Sequence, residues 1–234
     1  GYVEDADIWS GQDIIIQDGV NAGENGRIEA MGNISARFFE NAHIISHSDI
    51  KCDYMLNTTA LAYGGIYLEG KRGSVIGGDV TGVRGICIKA CGSESYSKTV
   101  LRVGVTKEIS SEYAKVLMVL KDIDTQIDRF NQALQKLDIL KKAGSDKFDE
   151  TLNRKLLQSK IVKTAEKAKY EEKSRNLYTL VRESDRAVVR IDKNIYPGSR
   201  VFMGDKTYVP STVFTHIALK KTSQGVLIRN YDSM

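Results

Sequence analysis

The residues able to do chemistry in this chain are few and scattered. Cysteine occurs only at Cys52, Cys87 and Cys91, and histidine only at His43, His47 and His216. Cys87 and Cys91 stand four apart, but Cys87 falls between Ile86 and Ile88, so in an extended strand it faces away from them. Cys52 falls on the inward, apolar side of its strand. Three thiols without a metal-ligand pattern read as free cysteines in a reducing compartment. His43 and His47 would pair on a metal if they shared a helix, but in a strand four residues span about 13 Å, too far for one ion. His216, isolated in the tail, reads as a solvated loop histidine. Ile76-Gly77-Gly78-Asp79 and Gly64-Gly65 look like phosphate cradles only superficially, since no helix N-terminus or Gly-Lys-Ser/Thr follows. Asp49, Asp53, Glu69 and Asp79 are spread out, whereas polysaccharide cleavage would need several carboxylates in one groove. The sequence therefore nominates no catalytic, cofactor-binding or metal-ligating residue, and function must be read from the elements themselves.

The 234 residues carry a net charge of +4. Residues 107 to 183 hold 17 Lys/Arg and 13 Asp/Glu, which leaves 17 against 17 elsewhere, so no polyanion-binding footprint remains and nucleic acid is not expected as a partner. No apolar run approaches the roughly 20 residues of a membrane span, and no leader pattern opens the chain. A cytoplasmic location is expected. The chain opens in mid-pattern at Gly1-Tyr2-Val3, as a piece cut from a longer protein would.

Apolar residues six apart recur every 16 or 20 positions: Ile8 with Ile14, Ile28 with Ile34, Ile44 with Ile50, Ala60 with Ile66, Val80 with Ile86, and, beyond a helical stretch, Ile195 with Val201. Two residues past the second member runs a mostly bulky column, Ile16, Ala36, Cys52, Leu68, Ile88 and Met203. Two past the first runs a small one, Ser10, Ala30, Ser46, Ala62, Gly82 and Pro197. Period-2 spacing points each column inward with the member it follows. Corners are marked by Asp5, Asn25, Asn41, Asn57, Gly77 and Asp192, and by Asp13, Asn33, Asp49, Gly65 and Gly85, with Arg200 out of pattern. Asn, Asp and Gly tolerate or cap a left-handed backbone. Short strands between such corners predict a right-handed parallel β-helix, with Asn25, Asn41 and Asn57 stacked as an amide ladder.

From Tyr113 a 3-4 stepping runs through Val116, Leu120, Ile123, Ile127, Phe130, Leu134 and Leu137, the pattern of a coiled-coil seam. Lys141-Lys142-Ala143-Gly144-Ser145-Asp146 ends that helix and caps another of roughly 146–183. The returning helix is apolar at Phe148, Leu152, Leu156, Ile161, Ala165, Ala168, Leu177 and Leu180, with a polar middle around Lys169 to Arg175. The short connection predicts antiparallel packing. The resulting organisation is a β-helix over 1–106, an antiparallel coiled-coil hairpin over 107–184 inserted between consecutive turns, and a returning turn over 185–234 with a capping β-hairpin around Thr222-Ser223-Gln224-Gly225.

The stretches Val3-Glu4-Asp5-Ala6-Asp7-Ile8, Gly32-Asn33-Ile34-Ser35-Ala36-Arg37-Phe38-Phe39-Glu40-Asn41-Ala42 and Gly64-Gly65-Ile66-Tyr67-Leu68-Glu69-Gly70-Lys71-Arg72-Gly73, with Ile76-Gly77-Gly78 and the late Ile195-Tyr196-Pro197-Gly198, resemble the flagellar assembly protein A (FapA) family. The resemblance covers nearly the whole chain. It implies a bacterial cytoplasmic protein linked to flagellar assembly or placement, without an established enzyme activity, and members usually carry a further N-terminal region. The expectation is thus a non-catalytic scaffold that meets protein partners through the hairpin or a β-helix face, homo-oligomers included. The competing expectation is a β-helix enzyme of the acyltransferase or polysaccharide-acting type, whose catalytic histidine would have to be His43, His47 or His216.

Overall fold

The structure, a computed structural model, describes residues 1–23 and 26–230, apart from the Lys107 side chain. Asn25 of the expected corner column lies outside these residues. The chain divides into a unit of residues 1–106 and 180–234 and a second of residues 107–179.

The first unit is a parallel β-solenoid of about five turns. Three inward columns run along it, one per face. On one face stack Ile8, Ile28, Ile44, Ala60, Val80, Leu101 and Val201. On the next stack Ile14, Ile34, Ile50, Ile66, Ile86 and Val189. The third, Val3, Val20, Phe39, Met55, Val75, Cys91 and Ile195, has no counterpart in the sequence reading. Phe39, Met55, Ile66 and Leu101 are wholly buried, so this shared interior is the core. Parallel strands buried on their inner face need such branched side chains, stacked like on like.

Strand register corrects the sixth repeat. Val201 stacks on Leu101 and so continues the first column, while the second continues through Val189; the true sixth pair is Leu101 with Val189, with the helices between them. Met203 accordingly extends the Ala62–Gly82–Val103 column, and Ile191 extends the column of Ile88. The helices are therefore inserted within a turn, at a corner between two faces, rather than between consecutive turns. One turn earlier the same corner is made by Val83 and Arg84 alone, because Gly82 pairs with Val103 and Gly85 with Val188.

The corners divide by mechanism. Asp5, Asn41, Asn57 and Gly77 all adopt positive φ, at 44°, 47°, 47° and 69°. Among the described residues Asn41 and Asn57 do not form the expected amide ladder: the Asn41 amide donates to Asn21 Oδ1 at 3.3 Å. A ladder does form at the other corner, where Asp13 accepts from the Asn33 backbone N–H (2.7 Å), Asn33 from Asp49 (3.2 Å) and Asp49 from Gly65 (2.8 Å). Each side chain caps the turn stacked on it. At the C-terminal end Phe214–Lys221 lies antiparallel on Val188–Ile195 and pairs with Val226–Asn230, so a β-hairpin closes the sheet edge there.

The second unit is built from α1 (Lys107–Lys142) and most of α2 (Glu150–Ser184). Gly144, at φ 62°, leaves α1 as its spacing predicts. α2 begins later than expected: Asp149, not Ser145 or Asp146, caps it by accepting from the Leu152 N–H at 3.0 Å, and Phe148 precedes the helix. The α1 seam is as read, with Val116, Ile123 and Leu137 buried.

Candidate interaction surface

The six candidate side chains do not converge. Cys52 and Cys91 are buried in the core columns, and Cys87 is half-buried on the outer side of its strand. Loss of hydration on burial raises all three thiols, Cys91 to about 12, so none carries appreciable thiolate near neutrality. Cys91 was invisible as a core residue because its face was not recognised. His43 stacks with Arg27 and Thr59, whereas His47 lies on Tyr63 (4.9 Å between rings) with Nε2 3.5 Å from Glu29. His216 is not in a loop. It lies within the strand Phe214–Lys221, where a register irregularity faces Asp192, and its Nδ1 is 3.1 Å from the Asp192 carbonyl oxygen. No group of three metal-ligating side chains converges among the described residues.

Asp49 is a corner cap and Asp53 another, accepting from the Arg72 and Gly73 N–H groups at 2.8 and 3.2 Å. Asp79 holds Arg102 in a two-pronged pair at 2.8 to 3.0 Å. These carboxylates serve the solenoid's own backbone and cations. A cleft of about 250 Å³ beside Lys51, Cys52, Asp53, Tyr67 and Glu69 places one of them near a thiol, but a thiol held neutral is no nucleophile.

The outer surface is more specific. On the third face Phe38 lies flat over the bare Cα of Gly19 and stacks on Tyr54, with ring centroids 5.0 Å apart and planes 11° apart. Arg72 covers Tyr54 at 4.5 Å, and the Tyr54 hydroxyl donates to Glu40 at 2.7 Å. The result is a rigid aromatic ladder, anchored at one end by a cation.

In the hairpin, α2 uses only part of the apolar set expected of it: Leu156, Leu177 and Leu180 are sheltered, whereas Leu152, Ile161, Ala165 and Ala168 are exposed. The sheltered positions step 3-4 through Asn153, Leu156, Lys160, Lys163, Lys167, Tyr170, Ser174 and Leu177. Two of these lysines are accommodated by pairing, Lys167 with Asp124 at 2.7 Å and Lys163 with Glu166 at 2.7 Å, and the exposed Lys173 farther along pairs with Glu112 at 2.6 Å. Asp124, as hydrogen-bond acceptor, raises Lys167 above its ordinary value, and Glu112 does the same for Lys173. Ile161, expected in the seam, is instead 68% exposed, and Leu157, Ala165 and Ala168 are exposed with it. A groove within the hairpin, lined by Glu108, Glu112, Lys115, Val116, Tyr170 and Lys173, is open and of mixed charge.

Among the described residues no helix is long and apolar enough to cross a membrane. The family described as Flagellar Assembly Protein A beta solenoid domain matches residues 1–224. No curated protein and no solved structure matches the chain.

Proposed function

The chain belongs to the Flagellar Assembly Protein A β-solenoid family, and on that premise we propose that it is a non-catalytic cytoplasmic scaffold of flagellar assembly or placement. In this reading the solenoid is the frame and the hairpin is the element that other proteins meet. The carrying observation is the insertion itself: a corner that needs two residues one turn earlier holds two helices of 36 and 35 residues, and the strand columns continue on the far side without a break. Nothing in the solenoid's closure requires so long an insert, so its use is sought outside the fold. Dispersed histidines and protonated thiols support the absence of catalysis, since general acid–base or nucleophilic chemistry needs such groups placed together.

The test is complementation in a flagellated bacterium lacking its own copy. A variant with residues 107–183 replaced by a short Gly/Ser linker should accumulate yet fail to restore flagella. A Cys87→Ser, His43→Asn, His47→Asn variant should restore them. Full activity of the excised protein, or a folded but inactive triple variant, would overturn the scaffold reading.

A further inference from the structure

The exposed face of α2 reads as a palindrome of charge. Glu150, Arg154, Leu157, Ile161, Ala165, Ala168, Glu172 and Arg175 step four, three, four, four, three, four and three residues apart, which keeps them on one side of a 3.6-residue helix. All eight are exposed, Leu157 at 45% and Ile161 at 68%. Two copies of this stripe laid antiparallel across a two-fold axis near position 163 place Glu150 opposite Arg175, Arg154 opposite Glu172, Leu157 opposite Ala168 and Ile161 opposite Ala165. Every charged position meets its opposite, and every large apolar residue meets a small one. A parallel pairing would set Arg154 against Arg154 and Glu172 against Glu172.

We infer that a second copy of this chain docks on the face Glu150–Arg175, forming an isologous antiparallel α2–α2 interface. The alanines let the two backbones approach and give Leu157 and Ile161 of each copy a place to pack. The stripe spans about 38 Å at 1.5 Å per residue. The stripe's own four charges sum to zero, and self-pairing sets each against an opposite one; within one copy Arg154 already sits 3.7 Å from Glu150. Isologous contact also explains why Leu157 and Ile161 lie off the α1 seam while Lys163 and Lys167 lie in it. The inference deepens the scaffold reading and rests on it only for the choice of the hairpin as the contacting element. A monomer that still restores flagella through the hairpin would remove the dimer and leave the scaffold intact.

The experiment is sedimentation equilibrium of the full chain, with helical circular dichroism checked for each variant. The wild type should be dimeric and Ile161→Glu monomeric with its helices intact. Arg154→Glu and Glu172→Arg should each weaken the dimer about tenfold, because the two-fold axis turns one change into two like-charge pairs. The double variant Arg154→Glu/Glu172→Arg should regain wild-type association. A wild type that stays monomeric, a dimer indifferent to Ile161→Glu, or a double variant no tighter than the singles would overturn the inference. So would a monomer that instead binds phosphatidylglycerol vesicles, which would assign the face to a lipid surface.

Discussion

Gly77 and Gly78 are adjacent, both at positive φ (69° and 80°), and should respond very differently to alanine. A left-handed backbone costs an L-residue roughly 1 to 2 kcal/mol, and this applies to both. They differ in what the new methyl meets. At Gly77 it runs into Oδ1 of Asn57, the end of an exposed side chain that can rotate away. At Gly78 it overlaps the Thr58 carbonyl oxygen and comes within 2.7 Å of the Thr58 nitrogen, on the neighbouring turn. Backbone inside a strand ladder cannot move aside without breaking bonds above and below it. Overpacking of that kind adds roughly 1 to 3 kcal/mol. Gly77→Ala should therefore cost about 1 to 2 kcal/mol and Gly78→Ala about 2 to 5 kcal/mol. Gly11→Ala is the control: a methyl there meets only Trp9 at 3.6 Å, so it should be neutral or stabilise by up to about 1 kcal/mol. Urea unfolding followed through Trp9, the only tryptophan and a solenoid residue, reads all three. A Gly78→Ala protein as stable as Gly77→Ala would refute the stacked-backbone geometry at this corner.

Two further outcomes follow from the same geometry. Asp49→Ala removes the cap on the Gly65 N–H and should cost roughly 1 to 2 kcal/mol, whereas Asp49→Asn should keep most of it; a melting temperature unchanged by the alanine would contradict the ladder. Folding raises Cys91 from 9.0 to about 12 and Cys52 in the same direction, so the folded state holds these protons more tightly. That stabilisation is complete below pH about 9 and is lost as pH rises towards about 12, with the raised Tyr54, Tyr67 and Tyr208 adding to the fall. Urea midpoints across that range should decline, less steeply in a Cys52→Ala/Cys91→Ala variant; midpoints that rise with pH would contradict the buried assignment.

What was legible in the sequence was whatever recurs at constant spacing. The pairs from Ile8–Ile14 to Val80–Ile86 stand six apart because one short corner joins those two faces in every turn, so neighbours in sequence report neighbours in space. The third face was hidden because its corner varies: Val20 follows Ile14 by six residues, Met55 follows Ile50 by five, and Val75 follows Ile66 by nine, the segment Glu69–Gly73 standing where Asp53 alone stands one turn earlier. With the period lost, Phe39, Met55 and Cys91 read as ordinary apolar residues. The sixth turn failed for a related reason. The insert parts Leu101 from Val189, and Ile195 with Val201 offers a chance six-residue spacing between two other faces. The α1 seam was readable because it is that helix's one continuous apolar stripe. In α2 the stripe through Ile161, Ala165 and Ala168 competes with one through Leu156, Tyr170 and Leu177, and the expected seam mixes the two, with Leu156 and Leu177 sheltered and Ile161, Ala165 and Ala168 exposed. Asp124 on α1, which receives Lys167, favours the second stripe, and that is a tertiary fact.

A self-sufficient β-solenoid should carry the helices as a separable insert at one corner. A methyl on Gly104 would lie 3.7 Å from the Ser184 carbonyl oxygen, so the insert's two ends are neighbours within the solenoid unit, and closing them with a short linker costs little entropy. The direct measurement is thermal unfolding by circular dichroism of the chain with residues 107–183 replaced by a short Gly/Ser linker. Loss of most helical signal and a cooperative transition of a β-rich protein are the expected result. An excised protein that is unfolded or aggregated would contradict it, because the helices would then be part of what holds the solenoid together.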